Sequence, residues 1–132
     1  MSEEIDRLRA LTEELATQEL LAAIVENLPD ALVIVDGQGH IIFFNKQAEF
    51  IFGYHRSEAL GRPIHLLLPE RLREKHAGHL AGFMQSPRTR PMGQDQALLG
   101  CHKEGREFPV AINLNPLQTS KGLVVVAVVR KE

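Results

Sequence analysis

The alternation of apolar and polar positions predicts a helical beginning followed by two groups of strands. Along residues 1–26 the apolar positions are mostly three or four apart, at Ile5, Leu8, Leu11, Leu15, Leu21 and Ile24. This spacing predicts an N-terminal amphipathic helix with a narrow apolar stripe. The stripe leaves open whether the helix lies against its own domain or pairs with a second copy. Its narrowness favours pairing, with Leu8, Leu11 and Leu15 in the dimer contact.

Residues 27–45, which read NLPDALVIVDGQGHIIFFN, predict a β-hairpin. Two short runs rich in Val, Ile and Phe, Ala31–Val35 and Ile41–Phe44, flank the turn signal Asp36-Gly37-Gln38-Gly39. Asn45 follows the second run and precedes good helix formers, so we expect it to cap a helix.

The middle of the chain predicts two short helices and a longer one. Lys46–Phe52 and His55–Gly61 are each followed or closed by a glycine, as helix ends often are. Glu70–Gln85 has residues three and four apart that share one face of a longer helix. Those residues are Leu72, His76, His79, Leu80 and Phe83.

Three further strands are predicted in the last third of the chain. Gln94–His102 is half polar, Glu107–Leu114 alternates with a period of two, and Leu123–Val129 is almost wholly β-branched and apolar, as in a central strand. The stretch from Pro116 to Gly122 is predicted to be a loop. Strands grouped on either side of helices indicate an α+β domain with one antiparallel sheet.

Composition and charge exclude several classes of protein. The chain has 132 residues, enough for one domain, and a formal net charge of −2 from 15 basic and 17 acidic residues. That balance predicts neither a nucleic-acid nor a membrane partner. Cys101 is the only cysteine, which excludes a disulfide framework. Because the first residues are charged and acidic, unlike a signal peptide, we expect a cytoplasmic protein.

The order of elements, with several local motifs, resembles the PAS family of sensory domains. The resemblance covers roughly Leu21 to Arg130. It is carried by Asn27-Leu28-Pro29-Asp30-Ala31, Val35-Asp36-Gly37-Gln38-Gly39, Phe44-Asn45, Phe52-Gly53-Tyr54, Glu58-Ala59-Leu60-Gly61-Arg62-Pro63, Leu67-Leu68-Pro69 and Lys103-Glu104-Gly105-Arg106-Glu107-Phe108-Pro109-Val110. The closing Asp-Ile-Thr type of motif found in the family is missing here.

The resemblance implies a PAS fold, which is a five-stranded antiparallel sheet with helices on one face and a small pocket between them. Residues 1–26 would then be a dimerisation and linker helix, and residues 27–132 the PAS domain. Such domains are signal-input and dimerisation modules without catalytic residues, joined to an output domain such as a histidine kinase or a cyclic-di-nucleotide enzyme. Together with apolar alternation, the resemblance suggests a set of pocket residues. These are Ile34, Phe44, Ile51, Leu80, Phe83, Leu98, Ile112 and Val126.

The residues around His76 resemble the corresponding segment of haem-binding PAS domains, which implies haem as an alternative ligand. In those domains the histidine at this position ligates the iron on the proximal side. Gln94 and Gln96 fall on the distal side, where the family has a gas-stabilising arginine, and a glutamine amide donates hydrogen bonds without the charge. The alternative in which His76 packs without a ligand stays open.

Other cofactors find less support in the sequence. Photosensory relatives place a flavin-reactive cysteine where this chain has Ile64, which argues against a flavin adduct, and Cys101 is expected to pack as a small hydrophobe. The sequence leaves two alternatives open, a flavin bound without an adduct and no cofactor at all. No third ligand completes a metal site beside His76 and His79, so no metal is expected.

Overall fold

A long helix, α1, opens the fold and stands apart from the rest of it. The computed structural model describes residues 2–92 and 98–132, and α1 runs from Ser2 to Glu26. Every residue from Ser2 to Ile24 is exposed, and only Val25 and Glu26 are half-buried. The helix ends where the chain approaches Pro29, because the residue before a proline is disfavoured in the α region.

The predicted hairpin is present, with β1 at Ala31–Asp36 and β2 at Ile41–Phe44. The Asp36 carboxylate accepts hydrogen bonds from the backbone N–H groups of Gln38 and His40, both at 2.9 Å. Gly39 has a φ of 84°, which glycine adopts at little cost. The turn therefore forms from the residues that predicted it.

The sheet is completed by strands from the last third of the chain. β3 spans Arg90–Met92, β4 Leu98–Cys101, β5 Glu107–Thr119 and β6 Gly122–Lys131. All pairings are antiparallel, in the order β2-β1-β6-β5, and β3 and β4 both pair with the far edge of β5. β3 and β4 lie one after the other along the same edge of β5, where they pair with residues 112–114 and 107–110. The six strands therefore occupy five positions across the sheet, which is the number that was predicted.

The strands differ from the sequence prediction in two places. The stretch Pro116–Gly122 is not a loop, because β5 continues to Thr119 with Pro116 opposite Val125. β3 reaches only Leu114 among the described pairs, so Pro116 lies where β5 is an edge strand, and a proline without an N–H is tolerated there. β3 itself was missed, because its three residues, which include a proline, carry no strand pattern of their own.

Short helices connect the hairpin to the second group of strands. α2 spans Lys46–Phe52 and α3 Arg56–Ala59, followed by 3₁₀ turns at Ile64–Leu67 and Glu70–Leu72 and by α4 at Arg73–Gln85. The predicted helix over residues 70–85 is thus a 3₁₀ turn that continues into an α-helix.

The hydrophobic core lies between these helices and one face of the sheet. Phe52 of α2 contacts Phe44 and Phe108, with ring centroids 6.3 Å and 5.6 Å apart. Gly100 leaves room for this cluster, since a Cβ there would lie 2.9 Å from the Phe108 ring and 3.1 Å from the Phe52 ring. The sheet contributes to this core from alternate positions, which are Ala31, Val33, Val35, Phe108, Val110, Val125, Ala127 and Val129.

Candidate functional site

His76 lies in the first half of α4. Its ring contacts that of a second histidine, His65, which lies in the first 3₁₀ turn, Ile64–Leu67. The two Nδ1 atoms are 3.3 Å apart, and the rings are nearly perpendicular with centroids 5.1 Å apart. Arg73 fixes the start of the helix, because its Nε donates a 3.1 Å hydrogen bond to the carbonyl of Leu68. His65 had been given no function from the sequence, since eleven residues separate it from His76.

Both imidazoles are held in the uncharged form near neutral pH. Burial lowers the pKa of His76 to about 4, and the neighbouring His65 and His79 add to the effect. Burial, followed by the positive charge of Arg73, also lowers the pKa of His65. The pair can therefore offer nitrogen lone pairs rather than positive charge.

Six of the eight residues predicted to line a pocket lie on the helix side of the sheet or on α4. Phe44, Ile51 and Phe83 are buried in the core cluster, and Leu98 and Ile112 pack against it half-buried. Leu80 packs on the hairpin turn, because its Cδ2 lies 2.6 Å from the position that a Cβ on Gly39 would occupy. Their function as pocket lining stays a prediction.

The other two predicted pocket residues, Ile34 and Val126, lie on the opposite face of the sheet. They are paired directly across β1 and β6. Their neighbours Val33, Val35 and Val125 belong to the core, and successive side chains of a strand point to opposite faces. Both runs are apolar at every position, so the sequence could not indicate which alternate set points inward.

Gln94 and Gln96, predicted for the distal side of a haem site, lie outside the described residues.

A cleft of about 370 Å³ opens at the surface beside the 3₁₀ turns, and it does not contain His76. Tyr54, Cys101 and His102 contribute to its wall. Two of the charged side chains in this cleft form an ion pair, in which Nη2 of Arg71 donates a 2.7 Å hydrogen bond to the Glu107 carboxylate. Cys101 is the last residue of β4 and is half-buried in the wall of this cleft, so it lies in a strand as the sequence predicts.

Asn45 joins α1 to the hairpin and to α2. It is fully buried, its side-chain oxygen accepts from the N–H groups of Leu32 at 2.9 Å and Ala48 at 3.0 Å, and its amide donates to the carbonyls of Val25 and Asp30 at 3.0 Å and 3.2 Å. The capping that the sequence predicted is confirmed. The two donated bonds, one to Val25 in the last turn of α1 and one to Asp30 just before β1, could not be predicted, because they join residues that are 20 and 15 positions apart.

An ion pair provides a second link between α1 and the domain. Arg56 of α3 donates to the Glu26 carboxylate at 2.6 Å, and Glu49 lies 4.0 Å from the same guanidinium. This hydrogen bond raises the pKa of Arg56. Together with Asn45, the pair attaches α1 to the domain through the last turn of the helix.

The residues predicted for dimer contact are exposed in the single chain. Leu8, Leu11 and Leu15 expose 55%, 50% and 60% of their surface.

Among the described residues, no group of three or more histidine, cysteine or carboxylate side chains is placed to hold a metal ion. The helices within residues 2–92 and 98–132 also lack the combination of length and apolar character that crossing a bilayer requires.

Comparison with known proteins assigns the family. Over 117 residues the chain is 28% identical to the sensor protein FixL of Bradyrhizobium diazoefficiens, covering 88% of this chain and 23% of the relative. It is 27% identical to the oxygen sensor protein DosP of Escherichia coli, covering 82% of this chain and 13% of that protein. The chain thus spans less than a quarter of the length of these relatives.

A solved structure and a family profile agree with these relatives. The PAS domain of an HTR-like protein from Haloarcula marismortui superposes with a TM-score of 0.80 at 25% identity, covering 94% of this chain and 98% of that one. The profile of the PAS fold matches residues 19–131, so it begins within α1 and includes the whole sheet. This chain therefore belongs to the PAS family, whose members are sensory rather than catalytic domains.

Proposed function

We propose that this chain is the sensory and dimerisation module of a cytoplasmic signalling protein, with a histidine kinase or a cyclic-di-nucleotide enzyme as its output domain. A ligand or a partner would shift the position of α1 relative to the sheet, and that shift would be the signal. The observation that carries the proposal is the combination of an exposed apolar α1 with its attachment to the domain at one end only.

The exposed leucines of α1 support a homodimer. An isolated helix is marginally stable in water, and tertiary packing usually supplies the rest of its stability. Within the described part of one chain α1 finds no such packing, since its apolar side chains from Ile5 to Ile24 are each about half exposed or more. A second copy of α1 would bury Leu8, Leu11 and Leu15.

The outer face of the sheet offers a second surface for the same dimer. It is apolar near β1 and β6, where Leu32, Ile34, Val124, Val126 and Val128 share one face. The dimer contact would therefore combine the paired α1 helices with the outer face of the sheet, on the side away from the core.

The attachment of α1 gives the proposed signal a route into the domain. The buried Asn45 amide bonds the last turn of α1 and the cap of α2 at once, so a shift of α1 must strain or break contacts at the start of the hairpin. Arg56 transmits the same shift to α3 through Glu26.

Light scattering on the purified chain tests the dimer. We expect a dimer for the unaltered chain and a monomer for the triple variant Leu8→Ser, Leu11→Ser, Leu15→Ser, because the exposed apolar surface that would be buried is removed. The matched control changes Asp6, Ala10 and Glu13 of the opposite side of α1 to serine and keeps the dimer. A leucine variant that remains dimeric would reject the helix as the contact.

Haem binding through His76 is the second candidate. Its support is the uncharged, half-buried imidazole on α4, the family resemblance of that segment and the similarity to a protein named as an oxygen sensor. The residues fit only in part, because Phe83 of the same helix is buried in the core and the surface cleft does not contain His76. A haem would require α4 to move outward.

An absorption spectrum after incubation with hemin tests this second candidate. The haem interpretation expects a sharp Soret band that His76→Ala abolishes and that His79→Ala, on the same helix but exposed, leaves in place. A featureless spectrum of the unaltered chain rejects haem and leaves the interaction module or a colourless ligand.

A further inference from the structure

The geometry points to a two-histidine binding site for a divalent transition-metal ion, formed by His65 and His76 between the first 3₁₀ turn and α4. The proposal goes beyond sensing and dimerisation, because neither requires these two side chains together. It also differs from haem ligation, which uses His76 alone.

The distance between the two nitrogens fits a chelated ion. Ligand nitrogens ~2.0–2.1 Å from a tetrahedral zinc ion are ~3.4 Å from each other. The Nδ1 atoms of His65 and His76 are 3.3 Å apart, which is long for a hydrogen bond, whose usual donor–acceptor distance is ~2.9–3.0 Å. One ion can therefore bind both nitrogens with little movement of either ring.

The relative orientation of the rings agrees with this. Two imidazoles joined end to end by a straight N–H···N bond would have their centroids separated by the nitrogen–nitrogen distance plus both ring radii. The observed centroid separation of 5.1 Å is shorter than that, so the ring axes are bent away from the line between the nitrogens. A tetrahedral ion requires such a bend of its two ligands.

The protonation state favours binding as well. An imidazole binds metal only in its neutral form, so a histidine that resists protonation loses little of its affinity in slightly acidic solution. Burial lowers the pKa of both histidines here. The positive charge of Arg73 opposes a cation and limits the affinity.

Imidazole nitrogens select ions such as Zn²⁺, Ni²⁺ and Cu²⁺ over Mg²⁺ or Ca²⁺, which prefer oxygen ligands. With two ligands from the described residues, the ion would keep positions for water or for a small exogenous ligand. Bound metal would join the 3₁₀ turn to α4 and would restrain the first half of that helix.

Zinc titration of the untagged chain by isothermal calorimetry at pH 7.5 tests the site. We expect one ion per chain, at least a tenfold loss of affinity in both His65→Ala and His76→Ala, and no loss in His79→Ala. Should an alanine variant lose its circular dichroism spectrum, glutamine at the same position replaces it, since its amide keeps similar size and binds zinc poorly. Calcium serves as the ion that should not bind.

Two results would overturn the proposal. One is zinc binding that survives the loss of either His65 or His76. The other is an equal loss of affinity in His79→Ala, which would indicate nonspecific binding to exposed histidines. The hemin spectrum gives an independent result, because His65→Ala should remove zinc binding while leaving any Soret band in place.

Discussion

At the scale of single residues, the side chain of Asn45 links three elements, because it forms hydrogen bonds to α1, β1 and α2. It is fully buried, and all four of its side-chain hydrogen bonds are made to backbone groups. Removing a buried partner costs more than a hydrogen bond contributes, because the group left behind stays desolvated.

Replacing Asn45 with alanine should lower the free energy of unfolding by about 3 kcal/mol, from the lost cap and the unpaired backbone groups. Asn45→Asp should keep the two bonds to the side-chain oxygen and lose the two donated bonds, one to Val25 at the end of α1 and one to Asp30 just before β1. Chemical denaturation measures the first effect, and faster amide hydrogen exchange near Val25 to Asp30 measures the second. Asn113→Ala, an exposed asparagine on β5, serves as the control with little change. Equal exchange in all three variants would contradict the link to α1.

Residue-scale prediction from sequence succeeded where the chemistry is local. Asn45 as a cap and Asp36 as a turn residue follow from neighbours within four positions. The meeting of His65 with His76 did not follow, because it depends on how a 3₁₀ turn is placed against α4. The sequence signal was only that two histidines lie eleven positions apart, on either side of Pro69.

At the scale of elements, α4 carries a half-buried histidine and contributes a single buried side chain to the core. Phe83 is its only buried residue, and His76 lies half-buried nearer its start. An uncharged histidine inside the fold makes the docking of such a helix sensitive to acid.

Stability should therefore fall as the pH drops from about 6.5 to about 4. In that window the unfolded chain binds a proton at His76 that the folded chain does not, since folding lowers the pKa of His76 from 6.5 to about 4. The loss is up to about 3 kcal/mol, reaches its full size below about pH 4, and is increased by His65, whose pKa shifts in the same direction. His79 and Arg73 are the other titratable groups around the pair.

Urea denaturation at several pH values checks this expectation. His76→Gln should flatten the dependence of the unfolding free energy on pH, whereas His79→Gln should keep most of it. A wild-type curve that stays level between pH 6.5 and 4 would show that the imidazole of His76 is free to take up a proton in the folded state.

Some strands can be predicted from their own residues, whereas the extent of others depends on the strand with which they pair. β6 was predicted as a central strand from its β-branched residues, and it does pair on both sides. β5 extends past Pro116 because the neighbouring β6 supplies a partner that no local rule indicates. β3 forms for the same reason, as an edge strand whose pairing with residues 112–114 outweighs its weak propensity.

At the scale of the whole molecule, the order of elements together with several local motifs was enough to predict the family. The hairpin, the helices and the three later strands occur in the order that PAS domains share, and the family profile confirms it. It was harder to predict which alternate residues of each strand point toward the core. β1 and β6 are apolar on both faces, so Ile34 and Val126 could be assigned to either side until the packing of the helices was known.

The single-ended attachment of α1 makes that helix a lever. Its 25 residues extend about 37 Å from the fixed last turn at a rise of 1.5 Å per residue. A tilt of roughly 5° at Glu26 would displace the far end by about 3 Å, from the same geometry. Movements of side chains near Asn45 and Arg56 that are too small to alter the sheet would thus be magnified severalfold at the other end of the helix, where a second protein could detect them.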